Sequence, residues 1–171
     1  MAEAGSTAPP GLRIVHLVDV PEATATLVDW FTAEWRPWYG PRGDGDAATD
    51  LAACRSRNAL PLCLVALDGD DTVLGTAGLR AESVGSELGV GPWLAAVLVG
   101  PAHRGHSIGK ALVAAIEAEA RRLGFRAIYT STEAPEPTMA RHGWHAIAPT
   151  QSLRGPITVY RRDLPTGNAF E

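Results

Sequence analysis

The densest chemistry in the sequence lies in Gly100-Pro101-Ala102-His103-Arg104-Gly105-His106-Ser107-Ile108-Gly109-Lys110. A run of apolar residues, Ala96-Val97-Leu98-Val99, leads into it, and a long helical pattern leads out. Such a loop is an anion site in outline. Unpaired backbone N–H groups at a helix N-terminus, with the positive end of the helix dipole behind them, favour a phosphate or pyrophosphate. Gly105, Ser107 and Gly109 are small enough to let a ligand reach the main chain, and His103, Arg104 and Lys110 add positive charge. A helix start with incidental glycines is the competing reading of the same residues. A P-loop needs four residues between its glycines followed by Lys-Ser/Thr. Gly105 and Gly109 enclose three, and Lys110 is followed by Ala111, which argues against a nucleoside-triphosphate site. The dinucleotide-binding GxGxxG is absent from the loop as well.

The helix that follows is marked by Ile108, Leu112, Val113, Ile116, Ala120 and Leu123, spaced three and four apart, with Gly124 as its stop. Glu117, Glu119, Arg121 and Arg122 fall off this stripe and are expected to face water. β-branched and apolar runs between turn signals predict seven strands: Leu12–Val18, Leu62–Leu67, Thr72–Leu79, Trp93–Val99, Ala127–Ser131, Trp144–Pro149 and Ile157–Asp163. Asp68-Gly69-Asp70-Asp71 joins the second and third as a hairpin. Further helical patterns cover Glu22–Trp35, Ala47–Arg57 and, between prolines and Gly143, Thr138–His142. This order implies an α/β or α+β fold, one sheet with helices on its faces.

At 171 residues the chain fits one domain, with 1–11 as a flexible tail and 12–171 as the folded unit. Hydrophobic residues make up 46% and charged residues 20%, an ordinary globular composition. No apolar run approaches the roughly 20 residues of a membrane span, and MAEAGSTAPPG lacks the regions of a secretion signal, which predicts a cytoplasmic protein. A net charge of −4 argues against a nucleic-acid binder with a broadly basic surface. Cys54 and Cys63 have no CxxC spacing and read as small buried hydrophobes. His103/His106 and His142/His145 are HxxH pairs without a neighbouring cysteine or a convincing third ligand, so no metal is expected.

Val97-Leu98-Val99-Gly100-Pro101 followed by Arg104-Gly105-His106-Ser107-Ile108-Gly109-Lys110-Ala111-Leu112 resembles the strand, Arg/Gln-x-x-Gly-x-Gly/Ala loop and helix of the GNAT superfamily of acyl-CoA-dependent N-acetyltransferases. The succession of elements from Leu12 to Asp163 fits as well. The resemblance implies a mixed, mostly antiparallel central sheet of about seven strands flanked by helices. It also implies acetyl-CoA as acyl donor, a primary amine of a small molecule as acceptor, and direct transfer in a ternary complex. Val97, Leu98 and Val99 would run beside the pantetheine arm. Arg104, Gly105, His106, Ser107, Ile108, Gly109 and Lys110 would hold the pyrophosphate, and an N–H near Val99 would polarise the thioester carbonyl. A non-catalytic acyl-CoA sensor of the same fold is the alternative, and a homodimer stays open.

Two departures qualify the resemblance. Ser107 stands where the family has its central glycine, and a left-handed requirement there would cost roughly 1 kcal/mol or more. The family's acid is often a tyrosine before a Gly-aromatic pair, but here Gly143-Trp144 follows Met139, which cannot donate a proton. Ser131, His142 and Tyr160 are the alternative acids, beside solvent alone. Glu34 and Glu87 are the candidate bases. Of the five tryptophans, three fall between Trp30 and Trp38. Trp30, Glu34, Trp38 and Tyr39, with Trp93, are candidates to line the acceptor pocket, where aromatic faces and carboxylates suit a cationic amine. Leu27, Phe31 and Trp35 repeat at four residues and read as core.

Overall fold

The computed structural model describes residues 8–165, so residues 1–7 of the expected tail lie outside the described residues. One seven-stranded sheet runs in the order β1-β2-β3-β4-β5-β7-β6. Its strands are β1 (Arg13–His16), β2 (Leu62–Leu67), β3 (Val73–Arg80), β4 (Trp93–Val99), β5 (Ala127–Thr132), β6 (His145–Ser152) and β7 (Gly155–Asp163). Every neighbouring pair is antiparallel except β4 and β5. The helices are α1 (Thr24–Glu34), α2 (Arg36–Tyr39), α3 (Ala47–Ala53), α4 (Ile108–Arg122) and α5 (Glu136–Arg141). The mixed, mostly antiparallel sheet flanked by helices is the expected class.

The β2–β3 hairpin closes because Asp68 accepts the N–H groups of Asp70 and Thr72, while Asp71 takes the left-handed conformation. Beside it, Gly11 (φ +72°) lies against Gly69, and the Leu12 N–H donates to the Pro9 carbonyl. Two layers cover the sheet. On one face α4 presses Ile108, Leu112, Ile116 and Ala120, all essentially inaccessible, onto Leu64, Leu74, Leu79, Leu94 and Ile128. Burying each large aliphatic side chain contributes about 1.5–3 kcal/mol, which makes this stripe the main attachment of the helix. On the other face Leu27, Phe31 and Leu51 of α1 and α3 pack on Cys63, Val65, Leu67 and Leu98.

The structure corrects two expectations. The third helix ends at Ala53 and not at Arg57, because the chain leaves it at Cys54 (φ −83°, ψ 5°) to reach β2 through Pro61. Glu117 and Glu119 do not face water. Glu117 is buried and pairs with Arg162 of β7 at 3.0 Å, while Glu119 pairs with His16 and Arg122.

Both cysteines are buried and unpaired. Burial pushes the Cys63 thiol up to about 12 and raises Cys54 as well, so neither is a thiolate at neutral pH. Among the described residues no helix is long and apolar enough to cross a membrane, and no three His, Cys, Asp or Glu side chains gather to hold a metal ion.

Candidate active site

The site begins with a fault in the sheet. In the pairing of β3 with β4 the register slips between Thr76 and Gly78, and opposite the slip Ala96 sits at φ +54°. An extra residue at such a bulge bends its strand and increases the local twist. β4 and β5 then share one bridge, Trp93 to Tyr129, and part beyond it. The Thr130 hydroxyl reaches across to the Leu94 carbonyl at 3.1 Å, and past that point β4 has no strand on its outer edge.

Alternation along β4 decides what this edge offers. The Gly100 N–H donates to the Leu74 carbonyl of β3, so the N–H and C=O of Val99 point the other way. Arg104 confirms this by donating from Nε to the Val99 carbonyl at 3.2 Å.

The parting strands open a cleft of about 1930 Å³ through the sheet. Leu94, Ala95, Ala96 and Val97 form one wall, and Thr130, Ser131, Thr132 and Glu133 the other. On the α4 side it is lined by Gly109, Lys110, Val113, Ala114 and Glu117, with Met139, Arg141 and His142 of the α5 region. On the opposite side stand Trp35, Pro37, Trp38 and Tyr39, the 80–87 segment, and the β6–β7 turn. That turn is tied down where Arg154 donates to the Glu34 carbonyl. Arg162 fixes the floor, paired with Glu117 and donating to the His142 carbonyl.

The expected anion loop sits at the α4 end of the cleft. His106 and Lys110 are exposed, and Gly105 (φ +86°) has open space where a Cβ would stand. Ser107 adopts φ 60°, ψ 18°, the left-handed conformation that a glycine takes without strain. Ile108 does not face a ligand; its side chain anchors α4 in the core. Leu98 is likewise buried against α1 and α3, whereas Val97 is exposed in the cleft.

The remaining candidates divide between cleft and core. Trp38, Tyr39, Ser131, Glu87, His142 and Met139 line the cleft. Trp93 is fully buried, donates to the Val90 carbonyl and packs on Tyr129, so it is core. Tyr160 is buried too, and its hydroxyl donates to the Ala134 carbonyl at 3.2 Å. Trp30 lies over Gly100, where a Cβ would come within 2.6 Å of its ring. Glu34 reaches 3.8 Å from Arg104 and does not line the cleft. The Tyr39 phenol donates to Asp50 at 2.6 Å. Burial, reinforced by that bond, pushes its pKa up to about 12, so it is neutral at physiological pH and its proton is already committed. The Thr150 hydroxyl bonded to Glu87 holds this carboxyl below its usual range.

Trp35, Glu117, Arg162 and Arg80 are among the cleft residues outside the expected site residues. Trp35, read as core, lines the side of the cleft opposite α4, and Glu117 and Arg162 form the floor. Arg80 lines the same side, and its only advance signal is a cation closing an apolar strand two residues after a glycine.

Comparison with known proteins follows the same outline. The model of the acetyltransferase (GNAT) family matches residues 26–144. Among solved structures, an aminoglycoside 6′-N-acetyltransferase complexed with coenzyme A aligns with a TM-score of 0.70 at 16% identity, covering 91% of this chain and 99% of that one. The aminoglycoside 6′-N-acetyltransferase from Enterococcus faecium aligns at 0.68 and 16% identity, with 91% and 99% covered. A GNAT-family acetyltransferase from Staphylococcus aureus aligns at 0.65 and 16% identity, with 91% and 100% covered. At these identities the structural matches show a shared fold. No curated protein matches the sequence.

Proposed function

The chain belongs to the acetyltransferase (GNAT) family, and from that premise we propose that it transfers an acetyl group from acetyl-CoA to a primary amine of a small molecule. The observation that carries this reading is the unpaired outer edge of β4 beside a small-residue loop at the start of a fifteen-residue helix. An extended amide chain can complete the strand edge, and a pyrophosphate suits the loop. The chain's residues fit acetyl-CoA on both counts: the edge groups of Val99 face outward, and Gly109 and Lys110 open onto the cleft.

Acetyl-CoA when bound supplies an activated thioester. The N-terminal amides of α4, aided by Lys110, bind the phosphates, and the Val97–Val99 edge orients the arm through the cleft. An outward β4 N–H stabilises negative charge developing on the carbonyl oxygen. The ammonium first loses a proton to water; the neutral amine nitrogen then bonds to the acyl carbon, the carbon–sulfur bond breaks, and the nitrogen gives up a second proton to water as the thiolate leaves.

The departing thiolate, with pKa near 8 to 9, needs little help, and general acid catalysis contributes typically about 10²- to 10⁴-fold where it operates. Tyr160 is committed to Ala134 and Met139 carries no proton, so Ser131 and His142, which line the cleft, are the side chains left to relay one. Glu34, held toward Arg104 outside the cleft, acts on the amine only through water. Aminoglycoside acetyltransferases of this fold act on small molecules by name, which supports a small-molecule acceptor here.

Met139 and the committed Tyr160 hydroxyl favour one second reading, an acyl-CoA-binding sensor without turnover. Calorimetric titration with acetyl-CoA and a thiol-release assay over an amine panel separate the two. Heat with turnover supports the transferase, and heat without turnover supports the sensor. No heat at millimolar acetyl-CoA overturns both.

A further inference from the structure

Arg80 ends β3 on the side of the cleft opposite α4. Its side chain folds back along the strand over Gly78, where a Cβ would lie 3.9 Å from Nε, and Gly78 pairs with Ala95 beside the bulge at Ala96. The glycine makes room for the cation, and the register brings that cation next to the opened edge of β4. Arg80 also lines a second, smaller cavity of about 240 Å³ together with Asp50, Cys54 and Glu82.

The surroundings compensate it only in part. Among the described residues Arg80 forms no ion pair with a carboxylate. Asp50 attracts the guanidinium without forming an ion pair with it, because it accepts the Tyr39 hydroxyl; that hydroxyl and the neutral Cys54 thiol stand beside the guanidinium. Its Nε is buried without a hydrogen-bond partner. A desolvated cation with an unmade donor is costly unless an anion completes it. A guanidinium edge matches a carboxylate in a two-pronged fork.

We propose that Arg80 is the specificity-determining residue for an acceptor that carries a carboxylate next to its amine, an α-amino acid in chemical class. This rests on the acetyl transfer proposed above. The closeness of Gly78 and Ala95 to the bulge sets a short spacing between the two groups. Trp38, Val84 and Leu153, all exposed apolar side chains on the same rim, receive the remainder of the molecule.

The test is thiol release by the full chain with four matched pairs: alanine and ethylamine, leucine and isopentylamine, phenylalanine and phenethylamine, tryptophan and tryptamine. In at least one pair the amino acid is favoured in kcat/KM by about tenfold or more, the effect of a charge-assisted hydrogen bond. Arg80→Met brings that ratio to about one and leaves the acetyl-CoA Kd within about threefold. If Arg80→Met does not fold, Arg80→Lys decides, because a point charge cannot form the fork and the ratio must fall. A wild type that favours no amino acid over its partner, or a preference that survives in the folded variant, overturns the proposal. Its failure is distinct from failure of the transferase reading, which shows as no thiol release by wild type with any amine or amino acid of the panel.

Discussion

Replacing Ser107 by glycine is expected to stabilise the protein relative to replacing it by alanine, although the position begins the longest helix. Ser107 sits at φ 60°, ψ 18°, and an L-residue in that region gives up about 1–2 kcal/mol that glycine does not. Glycine's greater freedom in the unfolded chain returns about 0.4–1 kcal/mol of this. The difference between the variants is therefore about 1 kcal/mol in favour of glycine, and both lack the hydroxyl, so any contact it makes cancels. In a chain of this size that corresponds to a melting temperature about 2–4 °C higher for Ser107→Gly than for Ser107→Ala. Differential scanning calorimetry measures it directly. Valine at the same position, with a branched Cβ in a left-handed conformation, must fall below alanine. Equal melting of the glycine and alanine variants, or the reverse order, refutes the argument that the loop holds this residue under strain. Calorimetric titration of the glycine variant with acetyl-CoA should show affinity equal to or tighter than wild type, because the N–H is kept and the loop is relaxed.

Arg162→Met leaves the buried Glu117 carboxylate without its partner and should cost about 2–3 kcal/mol in urea unfolding, below the usual range for a buried pair because Arg162 is 30% accessible. Adding Glu117→Gln should recover part of the loss, and no recovery would mean the pair is not the cause. Tyr39 titrates late, and its folded pKa of about 12 exceeds the ordinary 10, so its stabilisation is full below pH 10 and declines as pH rises through 12. Allowing for partial exposure, that decline is about 1–2 kcal/mol. Ultraviolet titration should show a phenolate step near pH 12 that Tyr39→Phe removes, and an unchanged curve in the variant contradicts the assignment.

What the sequence reveals and what it hides divide along physical lines. β2, β4 and the start of α4 lie where period and turn chemistry place them, because those signals depend on neighbours a few residues away. The small-residue loop that precedes α4 is legible for the same reason. The bulge is not: no glycine marks Ala96, and its conformation is imposed by pairing with β3. Glu117 lies off the apolar stripe of α4 and was expected in water, yet Arg162 comes from β7 to meet it. The aromatic residues were found by type, but type does not choose a neighbour. Trp38 reaches the cleft, whereas Trp30 covers Gly100 and Trp93 joins Tyr129 in the core. Arg80 escaped notice because a single charged residue at a strand end is ordinary until its surroundings are known to hold no carboxylate in ion-pair contact.

The bulge in β4 locates the capacity for chemistry in a residue count. A chain shortened by one residue at Ala96 would keep nearly every side chain named above, and β4 would be left to run in uninterrupted register with β3. The strand that bends away from β5 would then straighten, and the cleft would narrow toward a seam. Substitutions can tune how well this protein holds its ligands, but a single-codon deletion would remove the place where they meet.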